Sequence, residues 1–177
     1  MRRYPLGPIQ SAALKVAIAA AAIIILLLRT RKVAREELGI LAPPPWATVL
    51  FVAAYFAWML GSDALFQWRG PWDWQPWIKA PLAASAMRVL AVGILGPVAE
   101  ELIFRGWFFG ILQKRVGAGL TIIATAVGWA LLHYSYTWTV IGVIIVDGLI
   151  LGLARLRTRS VFPPIVMHAL YNLYAIW

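Results

Sequence analysis

Long apolar runs separated by short basic stretches constrain this chain more than any other feature. Ser11–Leu28 and Trp46–Leu65 each approach the roughly 20 residues that carry a helix across a bilayer. Of the 177 residues, 62% are hydrophobic and 13% charged, against about half and about a quarter in a soluble domain. Backbone polar groups in hydrocarbon must pair within their own segment. The expected fold is therefore all-α: a polytopic transmembrane helix bundle forming one integral-membrane domain. The formal net charge is +9, but the basic residues cluster between the apolar runs. Membrane orientation and lipid headgroups account for them, and no nucleic-acid partner is expected. The chain has no cysteine, which excludes disulfides and thiolate metal sites. No glycine-rich phosphate loop is present.

Six spans are expected: about Ser11–Leu28, Trp46–Leu65, Pro81–Leu112, Ala118–Tyr134, Thr139–Leu153 and Val161–Trp177. A seventh arises if the third stretch is two helices. Arg2 and Arg3 before an apolar run resemble the start of a signal peptide. No small-residue cleavage site follows, so a retained first span is expected. Arg29, Arg31, Lys32 and Arg35, then Lys114 and Arg115, then Arg155, Arg157 and Arg159 form three basic loops. All fall on one side in the six-span arrangement, which makes that side cytoplasmic and puts both ends outside. Pro43-Pro44-Pro45 should start the second span. Trp68, Trp72, Trp74 and Trp77 form an expected interfacial belt, Arg88 should snorkel, and Glu36 and Glu37 should be solvated. Residues 1–80 thus hold the N-terminal spans and the tryptophan-rich loop, and residues 81–177 the remaining spans.

Inside the third stretch, Gly96-Pro97-Val98-Ala99-Glu100-Glu101-Leu102-Ile103-Phe104-Arg105-Gly106 places three charges in an apolar run. Such a charge costs about 2.5–3.5 kcal/mol near a bilayer centre, so partners or a task are required. Gly96-Pro97 predicts a kink or a helix restart. Glu101 and Arg105 are four apart and can pair on one face. Glu100 is turned by about 100° and can point elsewhere.

Both histidines of the chain, His133 and His168, lie in apolar runs, and His168 shares a helical face with Asn172. Polar groups in spans face the bundle interior, so Glu100, Glu101, Arg105, His133, His168 and Asn172 predict one buried polar site. Asp147 could join it as a partner for a histidine or an arginine. A carboxylate near imidazoles can activate water as a general base. An imidazole and a carboxamide can donate to a developing oxyanion. Ser135 sits two residues from His133 on the wrong face, so water is the expected nucleophile. Glu100, His133 and His168 would also serve as a zinc set. The metal-free reading, with no cofactor, is preferred because Asn172 is a poor zinc ligand.

The ordered motifs Glu100-Glu101-x-x-x-Arg105, Trp129-x-x-x-His133 and His168-x-x-x-Asn172 resemble those of the CPBP family. This is the family of CAAX prenyl endopeptidases and bacteriocin-processing or immunity proteins, also called ABI. The flanks Phe104-Arg105-Gly106 and Gly148–Gly152 through Ser160 fit as well, whereas Trp129 stands where phenylalanine is commonest. The resemblance runs from about Pro81 onward and implies that residues 81–177 form a catalytic helical core. It implies intramembrane peptide hydrolysis, with Glu100 as general base assisted by His133, His168 and Asn172 stabilising the oxyanion, and Glu101 and Arg105 organising the site. It also implies a membrane-associated protein or peptide substrate and location in a bacterial or archaeal cytoplasmic membrane. The alternative within the same family is a non-enzymatic self-immunity or regulatory protein that binds peptides.

Overall fold

A computed structural model describes residues 8–30, 35–69, 73 and 75–176. Arg2, Arg3, Arg31, Lys32, Trp72 and Trp74 lie outside the described residues. The described residues are mostly helical, with no strand among them. The helices are α1 (Pro8–Thr30), the single turn α2 (Arg35–Leu38), α3 (Pro45–Phe66), the short α4 (Gln75–Lys79) and α5 (Leu82–Arg88). α5 continues without a break through a π-helical segment (Val89–Leu95), α6 (Gly96–Glu101), a second π-helical segment (Leu102–Phe108) and α7 (Phe109–Leu131). α8 (Trp138–Thr158) and α9 (Phe162–Ala175) complete the bundle.

Four described stretches are long and apolar enough to cross a membrane: Ile9–Leu28, Pro45–Phe66, Leu82–Leu131 and Trp138–Thr158. The third holds 50 residues but is not straight. Gly117 adopts φ 77° and ψ 172°, a conformation glycine reaches without a Cβ penalty. The chain doubles back there. An uninterrupted helix would carry Trp129 about 43 Å from Glu100, yet their side chains are hydrogen-bonded at 2.6 Å. Residues 82–116 and 118–131 are therefore two antiparallel arms.

At Gly96-Pro97, where a kink or a helix restart is expected, a π-helical bulge ends and α6 begins. Proline lacks an N–H and clashes with the carbonyl four residues back. The π-helical segment widens the turn ahead of it, and the Gly96 N–H donates to Ala91 O, five residues back. Val92 O then has no backbone donor, because the next N–H belongs to a proline. Asn172 Nδ2 of α9 donates to it instead, at 2.9 Å. In the second π-helical segment the Phe109 N–H donates to Gly106 O and Phe104 O and bypasses Arg105 O. Arg155 Nε of α8 donates to that carbonyl at 2.9 Å. Side chains from other helices thus satisfy both carbonyls, as buried backbone groups require.

The core gathers Tyr55 and Met59 of α3, Trp129 of α7, Ile144 and Leu151 of α8, and Met167 and Tyr171 of α9. α8 packs closely on the returning arm of α7. A Cβ on Gly148 would meet Ala126 at 2.8 Å, and one on Gly152 would meet Ile122 at 3.1 Å. This is the small-residue spacing that lets membrane helices approach. Large apolar side chains such as Ile18, Leu50, Leu82 and Leu120 are exposed. In a helical membrane protein these face lipid, and the chain is an integral membrane protein.

Two expectations on element ends are corrected. Arg155 is not in a basic loop: α8 runs on to Thr158, and Arg155 is buried against two carbonyls. His133 is not inside a helix: α7 ends at Leu131, and His133 lies in the following turn. Among the basic groups, Lys114, Arg155 and Arg159 do meet at one end, lining a cleft with Glu36 and Glu37. Glu37 pairs there with Lys114 at 2.7 Å.

Candidate active site

Glu101 and Arg105 form the expected pair. Arg105 Nη1 donates to Glu101 Oε1 at 3.0 Å, and both side chains are fully buried. Arg105 Nη2 donates to Gly148 O at 3.1 Å. His168 Nδ1 lies 2.9 Å from the same Glu101 oxygen. The carboxylate can only accept, so the proton of this bond sits on Nδ1. Glu101 thus orients an arginine and a histidine at once, and the other ring nitrogen of His168 points away from it.

That nitrogen faces Glu100. His168 Nε2 and Glu100 Oε2 are 4.0 Å apart. The Glu100 side chain is 34% exposed, against 0% for Glu101, so adjacent carboxylates occupy opposite environments. Trp129 Nε1 donates to Glu100 Oε2 at 2.6 Å. The Trp129 ring is the hub of the site. Its centroid lies 5.3 Å from that of His133 and 4.9 Å from that of His168, both edge-on. The Arg105 guanidinium sits 4.8 Å over it.

Two cavities meet at these residues. One, of about 660 Å³, is lined by Glu100, His133 and Asn172 together with Lys15, Ile18 and Ala22 of α1. The other, of about 250 Å³, is lined by His133, His168 and Asn172 with Asp147, Tyr171 and Trp68. His133 and Asn172 stand at the junction. His133 Nδ1 lies 3.1 Å from Trp129 O. Asp147 is buried; Trp58 Nε1 donates to its Oδ1 at 2.7 Å, Tyr171 also hydrogen-bonds it, and His168 and Arg105 lie near enough to act on its charge.

The six expected residues come together, with Glu100 and His168 linked through Trp129 and Glu101. Among the described residues, no three His, Cys, Asp or Glu side chains are placed to share a metal ion. Three features escape sequence reasoning: the Trp129–Glu100 bond, the Trp58–Asp147 bond and the role of Arg155. Arg155 had a signal in its spacing, since Gly148, Gly152 and Arg155 follow a four-then-three helical stripe.

The model of the type II CAAX prenyl endopeptidase Rce1-like family matches residues 82–174, just over half of the chain. The chain is also 29% identical over 172 residues to the membrane-embedded CAAX protease MroQ of Staphylococcus aureus (strain USA300). That alignment covers 90% of this chain and 69% of the relative. No solved structure matches. A helical integral-membrane fold, a Glu-Glu-x-x-x-Arg motif at its centre and a family match spanning every site residue lead to one assignment: the chain belongs to the Rce1-like family of type II CAAX prenyl endopeptidases, a family of membrane peptidases.

Proposed function

We propose that the chain is an intramembrane glutamic endopeptidase that cuts a peptide bond of a membrane-associated protein or peptide precursor. One observation carries this reading: Glu100 lies on a cavity wall, held by Trp129 at 2.6 Å, while Glu101 is sealed away with Arg105 and His168. A carboxylate so divided from its neighbour can take a proton from water. His133 lines the same cavity and assists in holding that water. The hydroxide oxygen attacks the peptide carbonyl, and Glu100 keeps the proton. Asn172 and His168 then stabilise the oxyanion, His168 donating from Nε2 when both ring nitrogens are protonated. Collapse of the tetrahedral intermediate returns the Glu100 proton to the leaving amine.

The reaction is read without a metal. The amide chemistry of Asn172, a poor zinc ligand, supports this. The test compares peptide termini in membranes and medium from cells carrying wild-type protein or Glu100→Gln at equal levels. Glutamine keeps the bond from Trp129 but cannot take the proton. Precursors are expected to accumulate uncut with Glu100→Gln. Identical termini together with a changed peptide sensitivity would instead favour a peptide-binding immunity role.

A further inference from the structure

The rim of the larger cavity carries charge that peptide hydrolysis does not use. A cleft of about 430 Å³ between α1, α4 and α5 is lined by Lys15, Lys79, Arg88, Ser11, Ser85 and Trp77. Three cations meet there with no acid in the lining. None of them forms an ion pair among the described residues. The Arg88 guanidinium lies 4.6 Å over the Trp77 ring. Ser85 Oγ is shielded from solvent and has no hydrogen-bond partner among the described residues. Like charges gathered in one cleft repel, and a bound anion relieves that repulsion. Lys15 and Arg88 also line the cavity that holds Glu100, so the cleft borders the site.

The surroundings identify the anion. Leu14, Ile18, Ile78 and Leu82 beside the cleft are exposed, Leu82 at 86%. Trp77 and Lys79 are residue types that anchor at the headgroup level. A soluble anion would leave this apolar border unused, whereas a phospholipid would lay its chains along it. A headgroup bearing an ammonium would find no acid in the lining of this cleft to pair with. Nor does orientation account for the charge, because the positive-inside expectation puts this rim outside. We infer that Lys15, Lys79 and Arg88 bind the phosphate of an anionic phospholipid headgroup at the mouth of the peptidase cavity. The inference does not depend on which residues hydrolyse the peptide.

The test is native mass spectrometry of the full chain released from micelles with equal phosphatidylglycerol and phosphatidylcholine of matched acyl chains. Wild type is expected to retain phosphatidylglycerol in preference. Each of Lys15→Gln, Lys79→Gln and Arg88→Gln should lower the preference about fivefold, and the triple variant should abolish it. Arg115→Gln/Arg157→Gln/Arg159→Gln removes the same charge at the other end and should leave it intact. An unchanged preference in the cleft variants, or equal loss in both triple variants, overturns the assignment. Because Lys15 and Lys79 are exposed, their single variants report even if the triple variant does not insert. Displacement of the lipid by equimolar inorganic phosphate would mean a free-phosphate site. Retained lipid preference with lost precursor cleavage would mean that the cleft reads acidic residues of the substrate. Either result overturns the lipid reading.

Discussion

The structure gives the indole of Trp129 a task that a phenyl ring cannot perform. Its N–H holds the Glu100 carboxylate at 2.6 Å, and a hydrogen bond to a charged group contributes about 1.5–3 kcal/mol. Trp129→Phe keeps the aromatic contact with both imidazoles and loses that bond. Cleavage should fall about tenfold to a hundredfold with normal insertion. Trp129→Ala, which removes the hub itself, should fall further; cleavage unchanged in both would remove Trp129 from the site. Glu100→Gln should abolish cleavage and leave the yield of folded protein unaltered. Arg105→Ala should do the reverse first. It strands Glu101, which is fully buried, at a cost of about 3–5 kcal/mol. Its signature is loss of folded protein in a detergent-extraction and thermal-shift assay, and equal losses for the Glu100 and Arg105 variants would contradict the division of roles.

At the scale of elements, the two π-helical segments set the site. They flank α6, which carries both glutamates, and each leaves a carbonyl that a distant side chain takes up. π-bulges often mark functional sites, and here the physical cause of the first is Pro97. α8 then closes the site from one side. Gly148 has no room for a Cβ, which would meet Ala126 at 2.8 Å and Arg105 Nη2 at 3.2 Å. Gly148→Ala should therefore force α8 off the returning arm of α7 and disturb the arginine that its carbonyl receives. Overpacking of this kind costs about 1–3 kcal/mol. The thermal midpoint should drop, and Gly142→Ala, with nothing within 4 Å of the added atom, should leave it in place. A drop of equal size at both positions would refute the packing argument.

For the whole molecule, the reversal at Gly117 governs topology. It turns one 50-residue apolar stretch into two arms and brings Lys114 to the same end as Arg155 and Arg159. The opposite end gathers Trp68 and Arg69 with His133 and Tyr136. Because the chain has no cysteine, single cysteines report their side without background. Arg115→Cys and Arg157→Cys should label from one face of the membrane, and Gln67→Cys and Ser135→Cys from the other. Labelling of 115 and 157 from opposite faces would rule out the reversal.

What the sequence alone determined is what local geometry can carry. Apolar runs and basic punctuation specify membrane helices. Four-residue spacing pairs Glu101 with Arg105, and the turn per residue separates Glu100 from both. His168 and Asn172 share a face for the same reason. Only the tertiary structure decided the rest, because those contacts join residues far apart in the chain. Trp129 and Glu100 are separated by 29 positions, Arg155 and Arg105 by 50, and His168 and Glu101 by 67. The bulge ahead of Pro97 is likewise not legible in its residues, which predict only a kink or a helix restart. Whether a proline breaks a membrane helix or widens it depends on a donor for the stranded carbonyl, and here that donor is Asn172, 80 positions away from Val92.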